Sequence, residues 1–540
     1  MSQAPPLNIP PPITAERKWL VAGSVAIGAI MGMIDASIVN VALPHIRGSV
    51  GATIQEITWV STAYMIAMVI VMPLTGFFGS LFGQKRVYMF CLALFVLGSA
   101  LCGTSHTLIA LVTFRILQGL GAGALQPSQM AILRQTFPLK EQGMAMAVFG
   151  MVIMVGPAVG PTLGGWITDN YSWQWIFYIN LPIGIIGLTM VNEFVHEPED
   201  IRWANRARAE AQKKYLDWIG IVLMSVGVAF LQYCLEEGQS KDWFESRWIS
   251  ASAFIAAAFL AAFVIRELTA PVPVVNLKLF KDRTFMSGTA IGGVMFAMLM
   301  GSMFLLPIFM QEILGFSATQ SGIALMPRTA IMMIVTPIVG RLYNRVPPAL
   351  TVAVGVILFS LGSYELSHVT LSTSALDIML PMLVTGVGFS CLFVPLTTVA
   401  LSMIPRHLLS DAAGLNSFIR QIGGSIGLTL SATLLTRFST QAKAAIAQHV
   451  TLLRPEAMVW WSQIKLMVLM LGLALGLDPV ATQTAALRFL NGHATVQSVV
   501  LAFEKSFLLQ GIAFLAVLPL LFFLRANRTK PDSQTTLGME

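Results

Sequence analysis

Charge is what this chain lacks. Only 11% of its 540 residues are Asp, Glu, Lys or Arg, against about 25% in an ordinary soluble domain. Cysteine is also scarce. The four present (Cys91, Cys102, Cys234, Cys391) sit in apolar runs without a CxxC pair, so they read as small buried hydrophobes and not as a disulfide or metal framework. The seven histidines are scattered through loops and span ends without zinc spacing. No Gly-x-x-x-x-Gly-Lys-Ser/Thr occurs, which removes ATP as a direct energy source. Gly423-Gly-Ser425-Ile-Gly427 fits the G-x-S-x-G pattern but lacks the strand–turn–helix context that a hydrolase needs. Nothing else in the chain reads as an enzyme or as a cofactor site. The net charge of +7 does not point to nucleic acid, because the basic residues lie in short loops between apolar stretches and no basic patch is interleaved with aromatics. What is abundant is apolar: 56% hydrophobic residues and a mean hydropathy of +0.74. The composition is that of an all-α, multi-pass protein whose solvent is the lipid bilayer.

Hydropathy places fourteen spans near 19–42, 57–79, 87–103, 107–129, 143–167, 174–194, 215–235, 248–266, 285–310, 320–342, 349–367, 376–403, 412–434 and 503–525. The first run is too long for a signal-peptide core and should stay attached. One set of loops holds Lys85/Arg86, Arg134/Lys140, Arg202/Arg206/Arg208/Lys213/Lys214, Lys278/Lys281/Arg283, Arg341/Arg345 and Arg406. The short loops of the other set hold only Arg47, Lys241 and Arg247. The positive-inside rule therefore puts the first set and both termini in the cytoplasm. The stretch Met458–Leu477 is apolar enough to span, but Lys465 and its arginine-bearing flanks favour an amphipathic helix outside the membrane.

The two ends of the chain resemble each other. Pro73-x-x-Gly76 recurs as Pro337-x-x-Gly340, Gly119-x-Gly121 as Gly386-x-Gly388, and Gly143 with Gly156 as Gly414 with Gly427. The ordered series predicts two six-helix bundles, 19–194 and 285–525, with two further helices inserted in the linker 195–284 and short tails 1–18 and 526–540. Parallel repeats of this sort rock about a central site. The C-terminal bundle carries a long external loop over 436–502, with two amphipathic helical patterns that could pair as a hairpin.

Few ionisable residues fall inside the spans, and each is costly there. Asp35 is the lone acid in the middle of the first span. In an apolar setting its pKa would rise, and it could carry a proton; the alternative is a structural hydrogen bond. Arg115, Gln118, Ala122, Gln126 and Gln129 share one face of the fourth span, so that face should look into a cavity or onto the opposite bundle, with Arg115 tuning the carboxylate. Asn416, Arg420 and Gln421 form a second polar stripe on the thirteenth span. Asn40, Trp59 and Tyr64 complete the candidate cavity, though Trp59 could equally anchor at the interface. The fifth span contains Gly150, then Gly156-Pro157, Gly160-Pro161 and Gly164-Gly165. Glycines 156, 160 and 164 lie on one helical face that lets another helix approach closely.

The Gly-Pro pairs of span five look like the antiporter motif of the major facilitator superfamily. Ile34-Asp35-Ala-Ser-Ile-Val-Asn40-Val-Ala-Leu-Pro44 resembles the first-helix signature of its fourteen-helix drug:proton antiporters. Trp173-Gln-Trp175-Ile-Phe-Tyr-Ile-Asn180-Leu-Pro182 and Leu306-Pro307-Ile-Phe-Met-Gln311-Glu312 through Gly322 are similar to that group's sixth- and ninth-helix regions. The loop 436–502 looks most like that of the EmrB/QacA-type multidrug exporters. This resemblance implies a bacterial inner-membrane location and proton-driven efflux of hydrophobic or amphipathic toxicants. It also implies a periplasmic adaptor and an outer-membrane channel as partners. Ion-coupled uptake of a nutrient or siderophore and a non-transporting membrane sensor are the competing readings. One departure stands out. The family's loop between helices two and three carries an acid, whereas this chain has Gly76-Phe-Phe-Gly79-Ser80-Leu81-Phe-Gly83-Gln84-Lys85, and the repeat copy has Asn344-Arg345. This departure puts in doubt the charge latch that the family uses to hold one conformation closed.

Overall fold

The computed structural model describes residues 15–524, apart from 198–200, 203–204, 206–207, 211, 213–216, 451–453 and 475–478. The tails 1–14 and 525–540, the linker positions Arg206, Lys213 and Lys214, and the side chains of Pro157 and Pro161 lie outside the described parts. The long helices are α1 (Ala15–Val50), α2 (Trp59–Phe82), α3 (Gln84–Gly103), α4 (Leu108–Thr136), α5 (Gln142–Asn170), α6 (Asn180–Phe194), α7 (Trp218–Glu237) and α8 (Arg247–Thr269). They continue as α9 (Arg283–Ile308), α10 (Ala318–Leu342), α11 (Pro348–Leu366), α12 (Ala375–Ala400), α13 (Leu409–His449), α14 (Pro455–Ala474) and α15 (Pro479–Leu515). No strand occurs among the described residues.

Local chemistry sets the helix starts. Thr107, Asp217 and Asp282 cap α4, α7 and α9 by accepting a bond from the third backbone amide onward. Ser317/Gln320 and Ser374/Asp377 form reciprocal capping boxes on α10 and α12. Gly83, at φ 91°, makes the tight turn from α2 to α3 that an L side chain would strain. Twelve of the described helices are long and apolar enough to cross a membrane. α13 falls outside that group because its polar stripe (Asn416, Arg420, Gln421) lowers its hydropathy. Of α5, the stretch Gln142–Met154 is apolar but short. Outward faces are apolar and exposed, as at Phe254, Ile265, Ile334, Ile338 and Leu361. A face of that size facing water would be an aggregation liability, so it calls for lipid.

The neighbour pattern is the same at both ends of the chain. α1 packs on α5, α2 on α4 and α3 on α4 and α6; correspondingly α9 packs on α13, α10 on α12, and α11 on α12 and α15. α7 and α8 pair with each other, and α7 wedges between α2 and α13. Its contacts there are specific: Tyr233 stacks on Trp59 at 5.7 Å, Gln232 donates to Ser425, and Thr429 donates to the Leu235 carbonyl.

The repeated glycines meet one another across the two halves. A Cβ on Gly143 would lie 2.6 Å from the Gly340 carbonyl oxygen, and one on Gly340 would lie 2.9 Å from that of Gly143. The same crossing recurs between α2 and α13. A Cβ on Gly414 would lie 2.7 Å from the Met72 carbonyl oxygen, and one on Gly76 would lie 2.5 Å from the Asp411 Cα. All four glycines are at the end that bears the basic loops. There Arg406 also donates to the Gln135 carbonyl and Asn344 to that of Lys140. The two halves are thus shut against each other at that end.

The loop between α2 and α3 lacks the acid, as the sequence shows. Ser80 does replace the acid, but a carboxylate arrives from elsewhere. Asp411, buried at the start of α13, sits against Gly76 and accepts a 2.6 Å hydrogen bond from Arg208 of the linker. Ser410 donates to Gln84, whose backbone amide donates to Glu197, and Ser80 donates to Gln212. The latch is built from α2, the start of α3, α13 and the linker, so the loop motif alone did not reveal it.

The long loop is mostly helix. α13 has 41 residues and α15 has 37, so they run roughly 55–60 Å at about 1.5 Å per residue. That is about twice the hydrocarbon thickness, and both helices project well beyond it. α14 lies against α15 through Ile464, Val468 and Ala486. The expected hairpin is present, but its second helix is continuous with the last span.

Candidate functional site

The N-terminal half encloses a charged network at the level of Asp35. α1 supplies Asp35, which is fully buried, and α4 supplies Arg115 one turn before Gln118. Arg115 Nη1 donates to Asp35 Oδ2 at 2.6 Å, and Gln118 Nε2 donates to Oδ1 at 2.8 Å. Asn180 Nδ2, from the start of α6, donates to the same Oδ1 at 3.2 Å. Arg115 also donates through Nε to the Val60 carbonyl at 3.1 Å and through Nη1 to Gln118 Oε1 at 2.8 Å. Its guanidinium lies 3.9 Å from the centre of the Tyr64 ring. Asn180 is itself fixed by Ser99, which donates to the Phe177 carbonyl.

Asp35 is therefore not isolated in an apolar setting, as its sequence surroundings suggested. It has three hydrogen-bond donors around it, one of them cationic. Losing the carboxylate would leave a buried guanidinium without its counter-ion, a costly state. Asn180 and Ser99 were missed because neutral polar residues do not stand out in a span. The only available signal was Asn180 beside Pro182 within the sixth-helix motif.

The other candidates separate. Gln126 lines a small cavity with Gly32, Met33, Met68, Met72 and Ala122, between α1, α2 and α4. Gln118 and Tyr64 belong to the Asp35 network instead. Asn40 is exposed and accepts from Ser61 at 2.8 Å. Trp59 does not join the cavity, because its ring turns outward onto Tyr233 of α7. On α13, Gln421 donates weakly to Met65 Sδ across the two halves, and Asn416 to Met130 Sδ. Arg420 is buried over the rings of Phe393 and Phe296, at 5.1 and 5.5 Å.

The glycine face of α5 packs on α1. A Cβ on Gly156 would lie 2.5 Å from Met33 Cβ, one on Gly160 would lie 2.6 Å from Ser37 Cβ, and one on Gly164 would lie 2.7 Å from Ile38 Cγ1. These positions flank Asp35 on α1. Two members of the motif behave differently. Gly165 has open space around it, and Gly150 points at the other half, where its Cβ would lie 2.7 Å from Phe393 Cδ1.

Comparison with known proteins agrees with this architecture. The family model described as Major Facilitator Superfamily matches residues 25–428. The chain is 33% identical over 524 residues to the multidrug export protein EmrB of Haemophilus influenzae, covering 95% of this chain and 97% of that one. It is 33% identical over 447 residues to the fatty acid resistance protein FarB of Neisseria gonorrhoeae, covering 82% and 86% respectively. Among solved structures, the human organic anion transporter MFSD10 superposes with a TM-score of 0.57 at 13% identity, over 95% of this chain and all of that one; at that identity the likeness concerns the fold alone. The repeated six-helix pattern, the family match and the near full-length relatives make this chain a member of the major facilitator superfamily, and hence a transporter.

Proposed function

We propose that the chain is a proton-coupled exporter of hydrophobic and amphipathic toxic compounds that works by alternating access. The observation that carries this reading is the buried Asp35–Arg115 pair with its amide donors Gln118 and Asn180. A proton arriving at Asp35 releases Arg115 and loosens α1 against α4. Departure of the proton restores the pair. The tight α1–α5 contact at Gly156, Gly160 and Gly164 runs past the same carboxylate and limits leakage between the two states. Two of its relatives are named as a multidrug export protein and a fatty acid resistance protein, which favours outward transport of apolar molecules. The working unit has fourteen spans, both termini in the cytoplasm and a place in the bacterial inner membrane. The projecting α13–α14–α15 assembly faces the periplasm, where an adaptor linked to an outer-membrane channel docks.

The test is efflux in everted membrane vesicles. A ΔpH should drive dye accumulation by the wild type, and Asp35→Asn should abolish it in protein that remains inserted. Movement of substrate with the proton flow would instead favour uptake, and absence of any ΔpH-dependent flux would favour a sensor.

A further inference from the structure

Two deeply buried arginines, one in each half, are treated differently. In the N-terminal half, Arg115 has a carboxylate. In the C-terminal half, Arg420 on α13 is buried almost as deeply, yet its Nε and Nη2 have no hydrogen-bond partner and no acid among the described residues pairs with it. Two phenyl faces, Phe296 and Phe393, are its electrostatic company. Ring faces offset only part of the cost of desolvating a guanidinium. α9 makes room for it with a glycine: a Cβ on Gly292 would lie 3.0 Å from Arg420 Nε. One turn earlier on the same face of α13, Asn416 is fully buried, with Oδ1 unpartnered and Nδ2 held only by a thioether at 3.8 Å. The guanidinium thus has two buried donor nitrogens with nothing to receive their hydrogen bonds, one helical turn from an amide whose donor meets only a thioether.

The surroundings define what would. Phe393 stacks with Phe389 at 5.8 Å and approaches Phe149 of the N-terminal half at 5.9 Å. Arg420 thus lies where the halves meet, beside an aromatic cluster that separates when they part. We propose that Arg420, assisted by Asn416, is the headgroup site for an amphipathic monoanion: a carboxylate or sulfonate seated on the guanidinium, with its apolar body among Phe149, Phe296, Phe389 and Phe393. Guanidinium suits this task because its planar fork meets both oxygens of such a group. Arg328, the other buried C-terminal arginine with unpartnered nitrogens, does donate to Ser302 and lies over Phe359 inside its own half. It serves as the control. The proposal rests on the exporter reading for its biological sense, but binding tests it separately from transport.

The experiment measures binding of a dansyl-labelled long-chain carboxylate and of its methyl ester to full-length protein in phosphatidylcholine nanodiscs at neutral pH. The wild type should prefer the carboxylate by about tenfold or more. Arg420→Gln should remove that preference, Arg420→Lys should keep part of it, and Arg328→Gln should keep all of it. Thermal melting followed by a thiol-reactive dye confirms folding, and should Arg420→Gln not fold, the Lys variant and the wild-type preference decide. Equal wild-type affinity for acid and ester would overturn the proposal, as would an undiminished preference in folded Arg420→Gln. Displacement of the probe by phosphatidylglycerol in the nanodisc would also overturn it, in favour of a lipid headgroup site. Failure of ΔpH-driven efflux with carboxylate preference intact would sink the exporter reading alone.

Discussion

At the scale of single residues, the Asp35–Arg115 pair makes an energetic prediction separate from transport. Removing one partner of a buried ion pair costs about 3–5 kcal/mol, whereas removing both can be nearly neutral. Arg115→Met and Asp35→Asn should each lower the melting temperature, and the double variant should be more stable than the sum of the two losses. Three of the four thiols are buried, so a thiol-reactive dye reports the melt. Strictly additive losses would mean that the pair seen here does not form. Asp35, Arg115 and Gln118 were legible in the sequence because an ionisable group or a glutamine stripe inside an apolar run stands out. Their partners were not. Ser99 and Asn180 look like ordinary span residues until α3 and α6 bring them together. For Trp59 the sequence leaves cavity and interface equally open, for a related reason. Its position near a span end is clear from sequence, but the rotation of α2 toward the inserted α7 depends on tertiary packing.

At the scale of elements, the glycines of α5 sort by direction. Six residues turn a helix by about 240°, so Gly150 cannot share the face of Gly156. The spacing by four was readable, and with it the close approach of a neighbouring helix. Which neighbour each glycine meets was not. Gly156→Ala and Gly160→Ala should impair transport and lower stability by about 1–3 kcal/mol through overpacking against α1, while Gly165→Ala, with open space at its Cβ, should be close to wild type. Gly150→Ala acts at a different contact. It presses on Phe393 and should weaken closure between the halves while sparing the α1–α5 contact. Vesicle efflux and dye-detected melting of the four variants check this order; equal behaviour at 156, 160 and 165 would show that the face touches lipid.

For the whole molecule, the sequence repeat acquires a physical meaning. Pro73-x-x-Gly76 meets the start of α13, and Pro337-x-x-Gly340 meets the start of α5, so each copy closes on the other half. The Arg208–Asp411 bond braces one of these crossings from the linker. Asp411→Asn or Arg208→Gln should open that end more often, lowering the disulfide yield between cysteines placed at Lys140 and Asn344, which touch in the closed form. An unchanged yield would leave the linker contact without a gating role. The opposite end poses a different question, because α13 and α15 project beyond the membrane and carry α14 between them. α13 runs to His449 and α15 begins at Pro479, so excising 445–495 would cut two continuous helices and confound any result. Replacing 451–478 with a short Gly/Ser linker removes α14 and leaves the α13–α15 contact intact. If α14 serves as a docking surface, resistance should fall in intact cells while ΔpH-driven transport in everted vesicles persists. Equal loss in both, from a variant that melts like the wild type, would place α14 in the transport cycle and remove the support for docking.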